Sequence, residues 1–335
     1  MFFIVISHAS VHGGYPYDVE SQSAFNSWFL EACVLGNLGT DLFILISGYF
    51  LCKKESTKAS LPKLFSQVWF YSLACIVIYL LLGNSLSLSE IFKVIFPTLF
   101  GEYWFFTAYI ALVLLVPYLN LFIEHLSRNQ FRNFLILNLC LWVFVPSFTR
   151  YSMFVSEMTA FLLMYFIGAY FRFYPDTVLK KKSMRYVITT VSLLILLFLG
   201  VFLRSLSQFI PSALLYGGLY QLRTSLFIVL AAVGLFSIAV YASPFYNKGV
   251  NFLAGCTFGV YLFHDNPFLR GIVWGHWFNN TVYCNSPTLI IHVFISIVLI
   301  FVIGILFELV RQKFFKRTGD SIAAFILKPI EQFLE

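Results

Sequence analysis

Continuous apolar runs, most of them close to twenty residues long and separated by short polar breaks, fix most of what this chain can become. They fall near residues 1–14, 33–52, 64–82, 103–122, 133–149, 158–173, 186–203, 223–242, 250–268 and 287–310. A bilayer core takes about 20 apolar residues per helix. Backbone groups in lipid must be satisfied within the segment, so such runs predict helices. A transmembrane barrel would need alternating segments of about ten residues, and these runs do not alternate. Charged residues are 11% of the chain and hydrophobic ones 60%, against about 25% charged in a soluble domain. That balance excludes an ordinary soluble enzyme, a disordered chain and a nucleic-acid-binding domain. The expected fold is all-α, a polytopic membrane helix bundle with about ten transmembrane helices, forming one domain over residues 1–335.

The breaks alternate in charge. Lys53, Lys54, Lys58, Lys63, Arg128, Arg132, Arg172, Lys180, Lys181, Lys182, Arg185, Lys248, Arg311, Lys313, Lys316, Arg317 and Lys328 fall in one set, 17 of the 22 basic residues. Lys93, Arg150, Arg204, Arg223 and Arg270 form the other. The sets separate to opposite sides if all ten runs cross, and the richer side is cytoplasmic by the positive-inside rule. Both termini are then expected inside. No cleavable signal peptide is visible. The first run begins at Met1 without a flank and is short for a crossing. Either the first helix is incomplete or the start lies inside a longer gene, and the second is the expectation. Six cysteines are scattered, and Cys33 and Cys284 both map to the outer side, where they could pair. Asn279-Asn280-Thr281 is a sequon with meaning only in a eukaryotic secretory pathway.

Ionisable groups inside spans cost about 2.5–3.5 kcal/mol on insertion scales and are functional candidates by default. Here they are His8, His12, Asp41, His264, Asp265, His292 and Glu308. His8 and His12, four apart, share a helix face. The spacing suits a metal pair, but Ala9 stands where a metalloprotease carries Glu, and no third ligand is near in sequence. No metal is expected. On the residues alone the pair reads as interfacial histidines that help end the helix. Asp41 must pair or protonate if buried. Ser47-Gly48 reads as a small-residue contact between helices. His264 and Asp265 are adjacent, so on a continuous helix they do not face each other. His292 and Glu308 read as structural. Tyr103 and Trp104 open the fourth span as an aromatic belt or as a wall lining a sugar-binding mouth.

Four blocks carry a resemblance. Phe2-Phe3-Ile4-Val5-Ile6-Ser7-His8 looks like the first helix of the acyltransferase family 3 membrane proteins. Gly39-Thr40-Asp41-Leu42-Phe43 through Ser47-Gly48-Tyr49-Phe50 resembles the second-helix signature of that family. Tyr103-Trp104-Phe105-Phe106 through Tyr109, with Pro117-Tyr118-Leu119-Asn120, is similar to its fourth-helix block. Phe258-Gly259-Val260-Tyr261-Leu262-Phe263-His264 resembles its late Gly-aliphatic-Tyr-Leu-aliphatic-His block.

The resemblance implies O-acyl transfer from cytoplasmic acyl-CoA to a glycan hydroxyl across the plasma membrane, and the chain reads as bacterial. It implies that His8 matches the essential first-helix histidine. The family's Arg eleven positions earlier would fall before Met1. Of the catalytic candidates His8, Asp41, His264 and Asp265, His8 is assigned as general base, and either carboxylate could support it. His12, Ser47, Tyr103, Trp104 and Tyr261 are candidates for binding substrate. Lys53, Lys54 and Lys63 fill the region where the family carries an Arg cluster, and are assigned to the CoA phosphates. Lysine serves there as a point charge without arginine's fork. Acetyl-CoA is the expected donor substrate, with no permanently bound cofactor, and the expected partners are the bilayer and a cell-surface glycan such as capsule or exopolysaccharide. A flippase for a lipid-linked glycan and an inactive homologue are the rival readings.

Overall fold

A computed structural model describes residues 1–14, 24–54, 60–149, 155–207, 209–210 and 222–333. Lys58 and Arg150 lie outside the described residues. All regular structure among the described residues is helical. The chain runs through α1 (Phe2–His12), α2 (Ala24–Ala32), α3 (Gly36–Leu51), α4 (Leu61–Leu81), α5 (Leu88–Ile95) and α6 (Trp104–Glu124). Then come α7 (Arg128–Leu139), α8 (Val145–Phe148), α9 (Glu157–Phe173), α10 (Lys182–Ser207), α11 (Leu226–Val240) and α12 (Lys248–His264). The last are α13 (Arg270–Ile272), α14 (Leu289–Val310) and α15 (Lys316–Phe333). Every one of the ten apolar runs is occupied by a helix. Among the described residues six segments are long and apolar enough to cross a bilayer: Trp28–Leu51, Leu61–Leu81, Trp104–Glu124, Arg128–Phe148, Lys182–Leu203 and Leu289–Pro329. Helices α1 and α11 are apolar but shorter.

Four labelled helices lie outside the apolar-run reading. These are α2, α5, α13 and α15, each short or mixed in polarity. Helix α5 starts at a capping box in which Ser87 and Glu90 exchange side-chain and backbone hydrogen bonds. Those bonds from Ser87 hold the exposed Glu90 carboxyl below its usual pKa. A second box, Ser127 with Gln130, starts α7 at Arg128, five residues before the apolar run begins. Helices α7 and α8 join through a π-helical turn at Cys140–Phe144.

The centre of the bundle is α9. Ala160, Phe161, Leu163, Met164, Tyr165 and Ala169 are fully buried there. Helix α3 packs on it, and α1 and α11 pack on α3. Two glycines make the α3–α9 approach possible. A Cβ on Gly48 would strike the Tyr165 backbone, and one on Gly168 would strike the Leu45 carbonyl and come within 3.0 Å of the Tyr49 nitrogen. The Ser47-Gly48 contact is thus real, and Gly168 is its partner. Adding one methyl at Gly168 is overpacking against backbone, which costs about 1–3 kcal/mol. Gly168→Ala is therefore expected to lower the detergent-solubilised midpoint of thermal unfolding by several degrees. An unchanged midpoint would mean that the helices can separate freely.

The ends of the helices sort by charge. At one end Arg172 donates to the Tyr49 hydroxyl at 3.4 Å and lies 5.1 Å from that ring. Arg128 donates to the Asp176 carbonyl at 3.1 Å and sits over Tyr174. Arg185 donates to the Lys180 carbonyl at 2.8 Å and sits over Tyr241. The other end holds His8, His12, Trp104, Arg223 and Arg270.

Candidate active site

The C-terminal end of α1 is clamped from the far side of the chain. Asn280, buried, donates to the Ala9 carbonyl at 2.6 Å, and its backbone N–H donates to the Gly13 carbonyl at 2.8 Å. The Thr281 hydroxyl donates to the Gly14 carbonyl at 2.6 Å. The Asn279-Asn280-Thr281 tripeptide is therefore a structural clamp that fixes the helix carrying His8 and His12. Asn26 adds two bonds, to the Cys284 and Ser286 carbonyls at 2.8 and 2.9 Å. Cys33 and Cys284 are free thiols.

Against this face of α1 lies the end of α12. His264 is fully buried and terminates the helix, and Asp265 caps it at φ −103° and ψ 10°. The chain leaves the helix between the two, so neighbours that would diverge on a continuous helix converge on one target. His8 Nδ1 lies 3.0 Å from His264 Nε2 and 3.6 Å from Asp265 Oδ1. Arg270 donates to the same carboxylate oxygen at 3.3 Å. Trp274, fully buried, donates from its indole to the His264 carbonyl at 3.2 Å and holds the turn.

This network sets tautomers. His264 Nδ1 is 2.6 Å from the Val260 carbonyl, which can only accept, so Nδ1 carries the proton. In the neutral ring Nε2 is then an acceptor, and His8 donates to it from Nδ1. A neutral His8 is left with an unprotonated Nε2. His8 is 15% exposed and lines an open recess of about 220 Å³. His12, Asn37, Thr40, Trp104, Phe105 and Tyr261 also face it. The Tyr261 hydroxyl is buried near Asp265 and makes no well-formed hydrogen bond among the described residues.

The remaining candidates separate from this cluster. Tyr103 is buried, donating to the Leu262 carbonyl at 3.2 Å and accepting from Asn266 at 2.7 Å, so it holds the α12 end and does not face the recess. Ser47 is turned to the Phe43 carbonyl at 3.0 Å and the Tyr109 hydroxyl at 3.4 Å, deeper along α3. Asp41 is buried, with both oxygens lacking hydrogen-bond partners among the described residues, and Arg223 is the charge acting on it. Arg223, ion-paired to Glu157, covers the Trp104 ring at 4.2 Å from its centroid. Asn280, Trp274 and Arg223 were not visible as site residues in sequence, because each acts through a long-range contact. His292 stacks on Tyr283 at 4.1 Å between centroids, a structural role as read from sequence.

His8, His12 and Asp265 each offer a ligand atom within 4.8 Å of the others, so the third ligand that the sequence hides comes from α12. The Arg270 cation beside Asp265 opposes a metal there. At the opposite end, Lys53 and Lys54 line a recess of about 280 Å³ with Pro117, Asn120, Leu121 and Glu124. Asn120 ties that corner together, donating to the Leu51 and Lys54 carbonyls at 3.0 and 3.1 Å and accepting from Tyr165 at 2.6 Å. Lys63 is exposed at the start of α4 and does not line this recess.

Helices of this length and apolarity, closing around a histidine pair, define a multi-pass membrane protein. The acyltransferase domain of acyltransferase family 3 matches residues 1–309, and the chain belongs to that family. No curated protein matches the chain, and no solved structure matches it.

Proposed function

We propose that this acyltransferase moves an acetyl group from cytoplasmic acetyl-CoA to a hydroxyl of a cell-surface polysaccharide or its lipid-linked precursor, in the plasma membrane of a bacterium. In this reading all ten apolar helices cross, and the end bearing Lys53 and Arg172 faces the cytoplasm. The observation that carries it is the His8–His264–Val260 relay, which leaves a base nitrogen on His8 at the recess.

A sugar hydroxyl is a poor nucleophile at neutral pH, whereas a histidine can take its proton as attack begins. His8 Nε2 removes that proton, the sugar oxygen attacks the thioester carbonyl, and the carbon–sulfur bond breaks. The proton passes from His8 to the departing thiolate, giving ester and free CoA thiol. Asp265 stabilises the transient imidazolium, and the Tyr261 hydroxyl is a donor for the developing oxyanion. His12 and Trp104 border the acceptor. Lys53 and Lys54 hold the CoA phosphates, while Lys63 contributes charge to the same surface. Thr40 at the outer recess and Leu51 beside the inner one are about 16 Å apart by helix rise, so the thioester reaches His8 along α3.

The test is surface-glycan O-acetyl content by proton NMR in cells lacking the gene, with and without this chain. Acetyl signal appearing with the chain, and depleted when Lys53→Ala/Lys54→Ala replaces it, fits the reading. Signal absent with a well-expressed chain sinks it.

A further inference from the structure

Helix α15 lies past residue 309, where the matched acyltransferase domain ends, and carries none of the site. It follows α14 through a π-helical turn at Arg311–Phe315 without a break. The continuous segment Leu289–Pro329 has 41 residues, about 60 Å of helix against a hydrocarbon core of about 30 Å. Half of it must leave the span.

Its course is set by α4. Glu308 meets Gln67 and Tyr71, the Phe315 ring meets Phe70 at 5.1 Å, and Gly319 still meets Ser66, whose hydroxyl would lie 2.6 Å from an added Cβ. From Glu308 to Gly319 the chain advances about 16 Å, while Ser66 to Tyr71 covers about 7 Å of α4. The chain therefore runs antiparallel to α4, and α15 keeps packing on it toward the N-terminal end of α4.

Three faces result. Gly319, Ala323 and Leu327 turn inward, and the last two are buried. Ile322, Phe325 and Ile326, at helical spacing, are 53%, 80% and 51% exposed. Four exposed cations, Lys313, Lys316, Arg317 and Lys328, stand along the same segment, and Asp320 is the one acidic residue over 311–329. The apolar face continues the exposed apolar surface of α14 through Phe314, which is 64% exposed.

We propose that α15 is a lipid-surface helix. It lies in the headgroup–acyl boundary at the basic end of the bundle, with Ile322, Phe325 and Ile326 among the acyl chains. Lys313, Lys316, Arg317 and Lys328 gather anionic lipid. An amphipathic helix with apolar bulk on one face and cations beside it is held at that depth by buried area and headgroup charge together. The assignment to the cytoplasmic leaflet rests on the orientation proposed above, whereas the lipid contact does not.

The experiment uses the full chain in nanodiscs of mixed zwitterionic and anionic phospholipid, where orientation has no bearing. A photoreactive p-benzoylphenylalanine replaces Phe325 in one sample and Ser321, on the charged side, in another. Irradiation and mass spectrometry should find lipid adducts several-fold more abundant from position 325, with anionic lipid above its share of the disc. In a Lys313→Gln/Lys316→Gln/Arg317→Gln/Lys328→Gln background, checked for monodispersity, anionic lipid should fall back to its share. Crosslinking of position 325 mainly to a second chain would overturn the proposal, as would equal lipid labelling from both positions or anionic enrichment that survives loss of the cations.

Discussion

Replacing His8 by alanine should lower acyl transfer by about 10²–10⁴-fold, the range a positioned general base supplies, while the chain stays folded in the membrane. His8 borders an open recess, so its loss enlarges that recess without emptying the core around α9. Glycan O-acetyl content measured beside a detergent size-exclusion profile separates loss of chemistry from loss of fold. A companion substitution tests the relay. In His264→Gln the amide oxygen can accept from His8 Nδ1, keeping the tautomer that leaves Nε2 free. His264→Phe removes the acceptor and lets the proton sit on either nitrogen. A catalytic histidine in the wrong tautomer can lose about 10⁴-fold. The expected order is therefore wild type, then His264→Gln, then His264→Phe, with His8→Ala at or below the last. Full activity in His8→Ala would remove the base role altogether. Equal activity in the two His264 variants would remove the relay while leaving His8 in place.

The helices themselves were legible because lipid imposes one rule on every span, that backbone groups be paired within the segment. A run such as 287–310 therefore announces α14 without knowledge of its neighbours. The site was legible only as a list. His8, His264 and Asp265 could be named, but their convergence depends on α12 stopping at His264; Pro267 is the local mark of that stop, whereas the apolar run continues to 268 and hides it. Tyr103 and Ser47 looked like lining residues for the converse reason. Their hydroxyls are spent on the Leu262 and Phe43 carbonyls, partners that appear once the chain is folded. The segment of α15 enters the sequence reading only through its cations, because these interrupt the apolar pattern and its apolar residues gather on a face only at helical spacing. Asn280, hidden inside a sequon, illustrates the same limit, since its work is done 271 positions away at Ala9.

Glu308 carries the second large effect. Its carboxylate is buried and accepts from Gln67 at 3.0 Å, Tyr71 at 3.1 Å, Arg311 at 3.0 and 2.7 Å, and Gln312 at 2.9 Å. These donors come from α4 and from the π turn after α14, so the residue ties two helices where α14 hands over to α15. Gly259 completes the junction, because a Cβ there would lie 2.8 Å from Glu308 Oε2. Removing one partner of a buried ion pair strands the other and costs about 3–5 kcal/mol. Glu308→Ala leaves the Arg311 guanidinium, 7% exposed, without its counter-charge. The expected result is a large drop in the unfolding midpoint, or loss of the folded fraction, at wild-type temperature. Glu308→Leu/Arg311→Met removes both charges and should recover much of the loss, since a buried pair replaced by apolar residues is often close to neutral. A double variant no more stable than Glu308→Ala would show that the cost lies in the Gln67 and Tyr71 bonds to α4 and not in the stranded charge. Any loss of transfer activity should track loss of the folded fraction, because Glu308 meets the site only through α12, where Gly259 lies about 7 Å of helix rise before His264.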